Sequence, residues 1–201
     1  MKQKLYLFIS HLSSDRRLAK SLAKELKEFN IIPFVAHEDI APTSIWQDEI
    51  EKFLDKADCM IAILTKGYFE SIWCNQEIGF CLAGKIPLIS VRVDEDPKGF
   101  IGKWQAYTPK KPIDPRTEAQ NIEELVNKKA VESSSIRQWL INSISLSSSY
   151  YETNRLCTAL KILDLTVAEE KIIKNAYINN SQVQGANDIF KILDKGWIDK
   201  Q

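Results

Sequence analysis

An alternation fills the first half of this chain and constrains its fold more than any other feature: short continuous apolar runs, each followed by apolar residues at helical spacing. Leu5 to Ile9 is the first run, apolar throughout as a strand covered on both faces must be. Ser13-Ser14-Asp15 then offers a helix N-cap, and Leu18, Leu22, Leu26 and Phe29 recur with the helical period. Ile31 to Val35 reads as a second strand. A loop from Ala36 to Ser44 leads to a helix face made by Trp46, Ile50, Phe53, Leu54 and Ala57. Cys59 to Leu64 is a third buried strand, Trp73 to Ala83 a third helix, and Ile86 to Val93 a fourth strand. Lys103 to Tyr107 is a candidate short fifth strand at the sheet edge.

Strands and helices that alternate through short connections imply right-handed crossovers and a parallel sheet. The predicted class is therefore α/β, with a flavodoxin-like parallel sheet covered by helices on both faces. In such sheets ligands collect beyond the carboxyl ends of the strands. Here those ends are Ser10–His11, Ala36–Asp39, Thr65–Gly67 and the turn after Val93. Around Pro109, Pro112 and Pro115 the character changes, as expected for a linker or an extended crossing segment. Beyond it the spacing is helical: Ile122 and Val126; Ile136, Leu140 and Ile144; Leu156, Leu160 and Leu163; Ile173, Ala176 and Tyr177; then Ile189, Phe190, Leu193 and Trp197. Thr166 before Ala168-Glu169-Glu170 reads as a helix start, and Asn179-Asn180-Ser181 as a stop. The expected organisation is an α/β domain over 1–115 and a small all-helical module over 116–201.

Composition narrows the function. Lys+Arg and Asp+Glu both number 27, and a neutral balance argues against a nucleic-acid binder driven by bulk charge. Four cysteines, Cys59, Cys74, Cys81 and Cys157, show no zinc-type spacing, and three of them, in apolar or helical segments, read as reduced and buried. With only two histidines, His11 and His37, no metal site is expected. The apolar run after Met1 stops at about five residues, short of a secretory core of roughly 7–15. No stretch reaches the ~20 apolar residues of a membrane span. The expected location is the cytoplasm, with no membrane partner.

Chemistry concentrates in the third helix. Trp73, Glu77, Phe80 and Cys81 fall at i, i+4, i+7 and i+8, so they share one face. Glu77 is thus a carboxylate in an apolar stripe, and an unpaired buried carboxylate costs several kcal/mol or more. Either it pairs with a lysine or caps a loop, or it faces a cleft as a working group. A response regulator would need an acidic cluster after the first strand, where this chain has Ser10–His11. No Gly-x-x-x-x-Gly-Lys-Ser/Thr phosphate loop occurs: Gly79 to Lys85 has the spacing, but Ile86 follows and the run closes the third helix instead of opening one, which argues against a P-loop enzyme.

Several blocks in order resemble the TIR domain family: Phe8-Ile9-Ser10-His11; the Leu- and Ala-rich helix; Phe34 with Glu38-Asp39-Ile40 and then Trp46; Ile61-x-Ile63-Leu64-Thr65; Tyr68; and Ser71-x-Trp73-Cys74-x-x-Glu77. The resemblance spans about the first 108 residues, and the absence of a receptor or death-fold region makes it closer to bacterial TIR proteins than to animal adaptors. It implies cleavage of NAD⁺ at the nicotinamide–ribose bond, with Glu77 catalytic and NAD⁺ as substrate, so that no cofactor is needed. By the same resemblance His11 and Leu12 would line the cleft beside the nicotinamide ribose, and Ser10 would supply a hydroxyl. Glu38 matches a substrate-contacting acidic position. Trp46 would either offer an aromatic face to a base or belong to the core. Trp73 would fix the helix and shield the site, or simply pack; His37 reads as an exposed loop histidine.

The loop Ile40-Ala41-Pro42-Thr43-Ser44 lacks the glycine common at its tip in the family, where this loop mediates head-to-tail assembly and completes the site across subunits. The resemblance further implies self-association and a role in anti-phage defence as an NAD⁺ glycohydrolase or cyclase. The co-product would be ADP-ribose, or a cyclic or conjugated ADP-ribose signal for a separately encoded effector, as in Thoeris systems. The alternative is a non-catalytic TIR–TIR interaction scaffold.

Overall fold

The computed structural model of the chain describes residues 4–36 and 46–198. Four strands, β1 (Leu5–Ser10), β2 (Ile31–Val35), β3 (Cys59–Leu64) and β4 (Leu88–Arg92), form one parallel sheet in the order β2-β1-β3-β4. The helices between them are α1 (Arg16–Leu26), α2 (Trp46–Lys56) and α3 (Ile72–Ala83), and α4 (Pro115–Lys128) follows β4. The predicted α/β class and parallel sheet are therefore the fold observed. The candidate fifth strand is reduced to one parallel bridge between Val91 and Tyr107.

Period-two alternation decides which strand residues meet which helices. Phe8, Phe34, Met60, Ala62 and Leu64 pack with Ile50, Phe53 and Leu54 of α2 and with Cys74, Ile78 and Cys81 of α3. The opposite face presents Ile63 and Val91 to Leu18 and Leu22 of α1 and Ile122 of α4. Phe34 stacks on Phe53 with ring centroids 4.4 Å apart, which ties β2 to α2. The expected N-cap of α1 is spent elsewhere: Asp15 makes no side-chain cap, and its carboxylate instead accepts a hydrogen bond from the Thr65 hydroxyl. That bond fastens the start of α1 to the residue that follows β3.

The described residues form two compact units, Lys4–Val126 and those from Asn127 on, so that most of α4 packs with the sheet. The reason is local. Ala119, Ile122 and Val126 of α4 are buried, and the Tyr107 hydroxyl, which accepts from Asn121 at 2.7 Å, donates to buried Glu118. Burial and this bond push the Tyr107 phenol up to about 12. The proline-rich segment thus runs within the first unit.

The second unit is helical: α5 (Ser134–Leu146), α6 (Tyr150–Leu160), α7 (Val167–Asn179) and the short α8 (Ser181–Gln184) and α9 (Lys195–Ile198). Its core holds Ile136, Trp139, Leu140, Leu156, Leu160 and Ile173. Thr166 caps α7 in a reciprocal capping box with Glu169, as the sequence indicates. Arg137 grips the same Glu169 at 2.7 Å and holds its carboxyl at about 2. The four cysteines are free and buried, and burial alone pushes Cys81 up to about 12. Among the described residues no helix is long and apolar enough to cross a membrane.

Candidate active site

The site is assembled from the carboxyl ends of β1 and β3 and the second turn of α3. Alternation along β1 turns Ser10 to the same side as Phe8, and the register sets it beside Ala62 of β3. After β3 the chain reverses at Gly67, whose φ of 89° lies in the left-handed region that glycine enters without a side-chain clash. This turn returns Tyr68 to the core, where it is fully buried. Ser71 then caps α3 by accepting from the Cys74 amide at 3.3 Å, which starts the helix in the phase that carries Glu77 inward.

Three polar side chains meet there. The Ser10 hydroxyl donates to Oε2 of Glu77 at 2.5 Å and lies 2.5 Å from the Tyr68 hydroxyl. Glu77 is only 5% exposed. Among the described residues it has no ion-pair partner, and the Ser10 hydroxyl is its hydrogen-bond partner. Burial pushes its carboxyl up to about 7, against the opposing effect of the Ser10 bond. Neither a lysine pair nor a loop cap accounts for this carboxylate. Among the described residues its Oε1 atom has no hydrogen bond, and it is not sealed off from the surface. Nearby, burial raises the Tyr68 phenol well above its ordinary value and raises the Cys74 thiol.

Glu77 closes the inner end of a cleft of about 230 Å³ between α2 and α3. Trp73, Gln76 and Phe80 line it from α3; Gln47, Ile50, Glu51 and Leu54 line it from α2. Trp73 and Phe80 remain 38% and 37% exposed, so both present aromatic surface to whatever enters. Such a site can stabilise a positive charge that develops within reach of a desolvated carboxylate.

Ser10, Glu77 and Trp73 are thus brought together. His11 and Leu12 take other positions. His11 is buried, with Nδ1 3.3 Å from the Ile9 carbonyl, and its own carbonyl accepts from the Cys74 thiol at 3.6 Å. Leu12 is half-buried against the α2–α3 core, and neither residue is among those lining the cleft. Glu38 and His37 lie outside the described residues, as does the side chain of Trp46, although its backbone opens α2. Sequence reasoning missed Tyr68 as a site residue. The signal available was a hydroxyl placed one residue after a turn glycine at the end of a buried strand. It also missed Gln76 and the α2 wall, because which residues of α2 face α3 depends on the crossing of the two helices.

In open parallel α/β sheets ligands bind outside the carboxyl ends of the strands, and Glu77 lies at that edge here. The family model described as TIR domain matches residues 7–126, more than half of the chain, and the protein belongs to the TIR domain family. No curated protein matches it. Among solved structures it is similar to the TIR domain of the Toll-related receptor TRR-2 from Hydra magnipapillata. The identity is 15% over 51% of this chain and 82% of that one, with a TM-score of 0.45. It is also similar to the TIR domains of the activated Roq1 resistosome that directly recognizes the pathogen effector XopQ. There the identity is 17% over 86% of this chain and 96% of that one, with a TM-score of 0.42.

Proposed function

We propose that this TIR domain cleaves NAD⁺ at the nicotinamide–ribose bond, with Glu77 as the catalytic carboxylate. The observation that carries the reading is Glu77 itself, buried in an aromatic-walled cleft with no cation among the described residues to neutralise it. A fold gains nothing from such a group, because replacing it with an apolar side chain would remove the desolvation cost.

The chemistry needs little more. In NAD⁺ the nicotinamide is already a cationic leaving group, so no general acid is required. The C1′–N1 bond breaks, its electron pair neutralises the pyridine nitrogen, and an oxocarbenium-like ribosyl cation forms. The ionised carboxylate stabilises that cation and can hold the ribose hydroxyls. The exposed faces of Trp73 and Phe80 suit the flat cationic ring of the substrate. Water captures the ribosyl centre and loses a proton to give ADP-ribose, or an internal or added nucleophile gives a cyclic or conjugated product.

In this reading the protein works in the cytoplasm, where free thiols stay reduced. It self-associates through its TIR domain and serves anti-phage defence, with its product activating a separately encoded effector. The helical unit would be a separate module. The test is nicotinamide release from NAD⁺ by the protein and by Glu77→Gln, at high protein concentration with a crowding agent, followed by mass spectrometry. Release by the former alone supports cleavage, and the co-product mass separates hydrolysis from cyclisation. Equal inactivity of two folded proteins would favour the non-catalytic scaffold.

A further inference from the structure

Ser10 has one proton and stands between two groups that each lie 2.5 Å from its oxygen. An ionised carboxylate only accepts, so when Glu77 is charged the Ser10 proton goes to Oε2. The Tyr68 hydroxyl must then donate to the Ser10 oxygen. The order Tyr68 to Ser10 to Glu77 is thereby fixed by proton counting. It commits Oε2 inward and leaves Oε1, which has no partner, as the oxygen that can reach the cleft. Both members behind Glu77 are fully buried, so water cannot substitute for either.

We propose that Tyr68 is a positioning residue for the reaction: acting through Ser10, it locks the Glu77 carboxylate in the rotamer that turns Oε1 alone toward the substrate. This rests on the cleavage reading above for its catalytic consequence, but the relay itself does not. Protonation of Glu77 reverses the order. The acid then donates to Ser10, Ser10 donates to the phenol oxygen, and the Tyr68 proton turns away, toward the adjacent Cys74 sulfur. The same relay therefore serves both protonation states and biases toward the charged one, because a bond donated to a charged acceptor is stronger. A donor behind Ser10 polarises its hydroxyl and strengthens the bond to Glu77.

The test compares the full chain with Tyr68→Phe, which keeps the ring, with Ser10→Ala, and with Ser10→Thr as the conservative rescue. The first readout is the pH profile of nicotinamide release. Its midpoint, about 7 in the unaltered protein, is expected to rise by about one pH unit in Ser10→Ala. A smaller rise of roughly 0.3 is expected in Tyr68→Phe, since only the cooperative part of the bond is lost. Turnover of Tyr68→Phe at pH 8 should fall about tenfold, with KM changed less than about twofold; Ser10→Thr should restore the profile. The second readout needs no catalysis. For each variant the Tm is measured against pH with and without Glu77→Gln; the midpoint of the difference lies between the unfolded and folded values of the carboxyl and moves by about half of any change in the folded one.

Midpoints that rise in the order stated, by both readouts, support the relay. An unmoved midpoint in folded Tyr68→Phe and Ser10→Ala overturns it, whatever the turnover. If the unaltered protein releases no nicotinamide, the cleavage reading falls and takes the role in that reaction with it. The Tm midpoint then still decides whether Tyr68 sets the carboxylate.

Discussion

Helices α1 and α3 pack on opposite faces of one sheet and obey opposite rules. In α1 the residues at core spacing, Ala19, Leu22, Ala23 and Leu26, are buried, while Arg17, Lys20 and Lys24 face solvent. In α3 the charge is inside and much of the apolar surface is outside: Glu77 is 5% exposed and Ile72 is 71% exposed. A helix shaped by burial alone would expose the one carboxylate and bury the isoleucine. Local rules of this kind fail mainly where function requires it. The inversion in α3 therefore locates the site more sharply than any single motif does.

The largest effect that would break this comparison is catalytic. Glu77→Gln keeps the shape of the side chain and removes the charge, and should lower nicotinamide release by about 10³-fold or more, on the order of 4 kcal/mol in barrier. Leu22→Ala should leave turnover per folded molecule unchanged. A Glu77→Gln protein that keeps a tenth of the original rate would mean that the buried carboxylate is not the stabilising group. On stability the roles exchange. Leu22→Ala should cost about 2–4 kcal/mol in denaturant unfolding, since the side chain is 2% exposed and a cavity remains. A cost below ~1 kcal/mol would show that α1 is not held as described.

The third prediction uses the raised carboxyl of Glu77. Its value in the folded chain is about 7 against an ordinary 4.5. Between those two values the folded state holds more protons than the unfolded state. Stability must therefore fall as pH rises through this window. Glu77→Gln escapes that loss. It should match the unaltered protein near pH 4.5 and become more stable by roughly 1–3 kcal/mol above pH 7, given ~1.4 kcal/mol per pH unit. A Tm difference that stays flat from pH 4.5 to 8 would show that Glu77 is not desolvated.

What was legible in the sequence divides along the same line. Strands buried on both faces announce themselves as unbroken apolar runs, so Cys59–Leu64 and Ile31–Val35 have the predicted bounds. Glu77 was legible because a carboxylate in an apolar stripe demands an explanation. The start of α7 at Thr166 was legible because a capping residue before an acidic first turn is a local pattern. The packing of α4 was not, because the burial of Glu118 beside Tyr107 depends on a contact between residues that no local period links. The placement of His11 was not legible for a related reason. A residue just past a strand end can turn toward the cleft or fold under it, and the turn that chooses is set by the Cys74–His11 contact with α3. Tyr68 was hidden because a buried aromatic in a turn reads as core until its hydroxyl is seen to have a polar partner.

The smallest expected effect is also the most direct test of the inversion. Ile72, the first residue of α3, is mostly exposed, and a polar substitution at such a position ordinarily changes stability by no more than ~0.5 kcal/mol. Ile72→Gln keeps a residue of good helix propensity and adds no charge near the helix start, so neither propensity nor the helix dipole confuses the result. If the change is within that range at every protein concentration, the isoleucine is free in solution and α3 does carry its apolar surface outward. If instead the cost exceeds about 1 kcal/mol and fades on dilution, a second copy covers Ile72 and contributes to stability by mass action. The apolar side of α3 would then be half of an interface. The contrast with α1 would lie in which molecule supplies the burial, and the carboxylate alone would remain the exception.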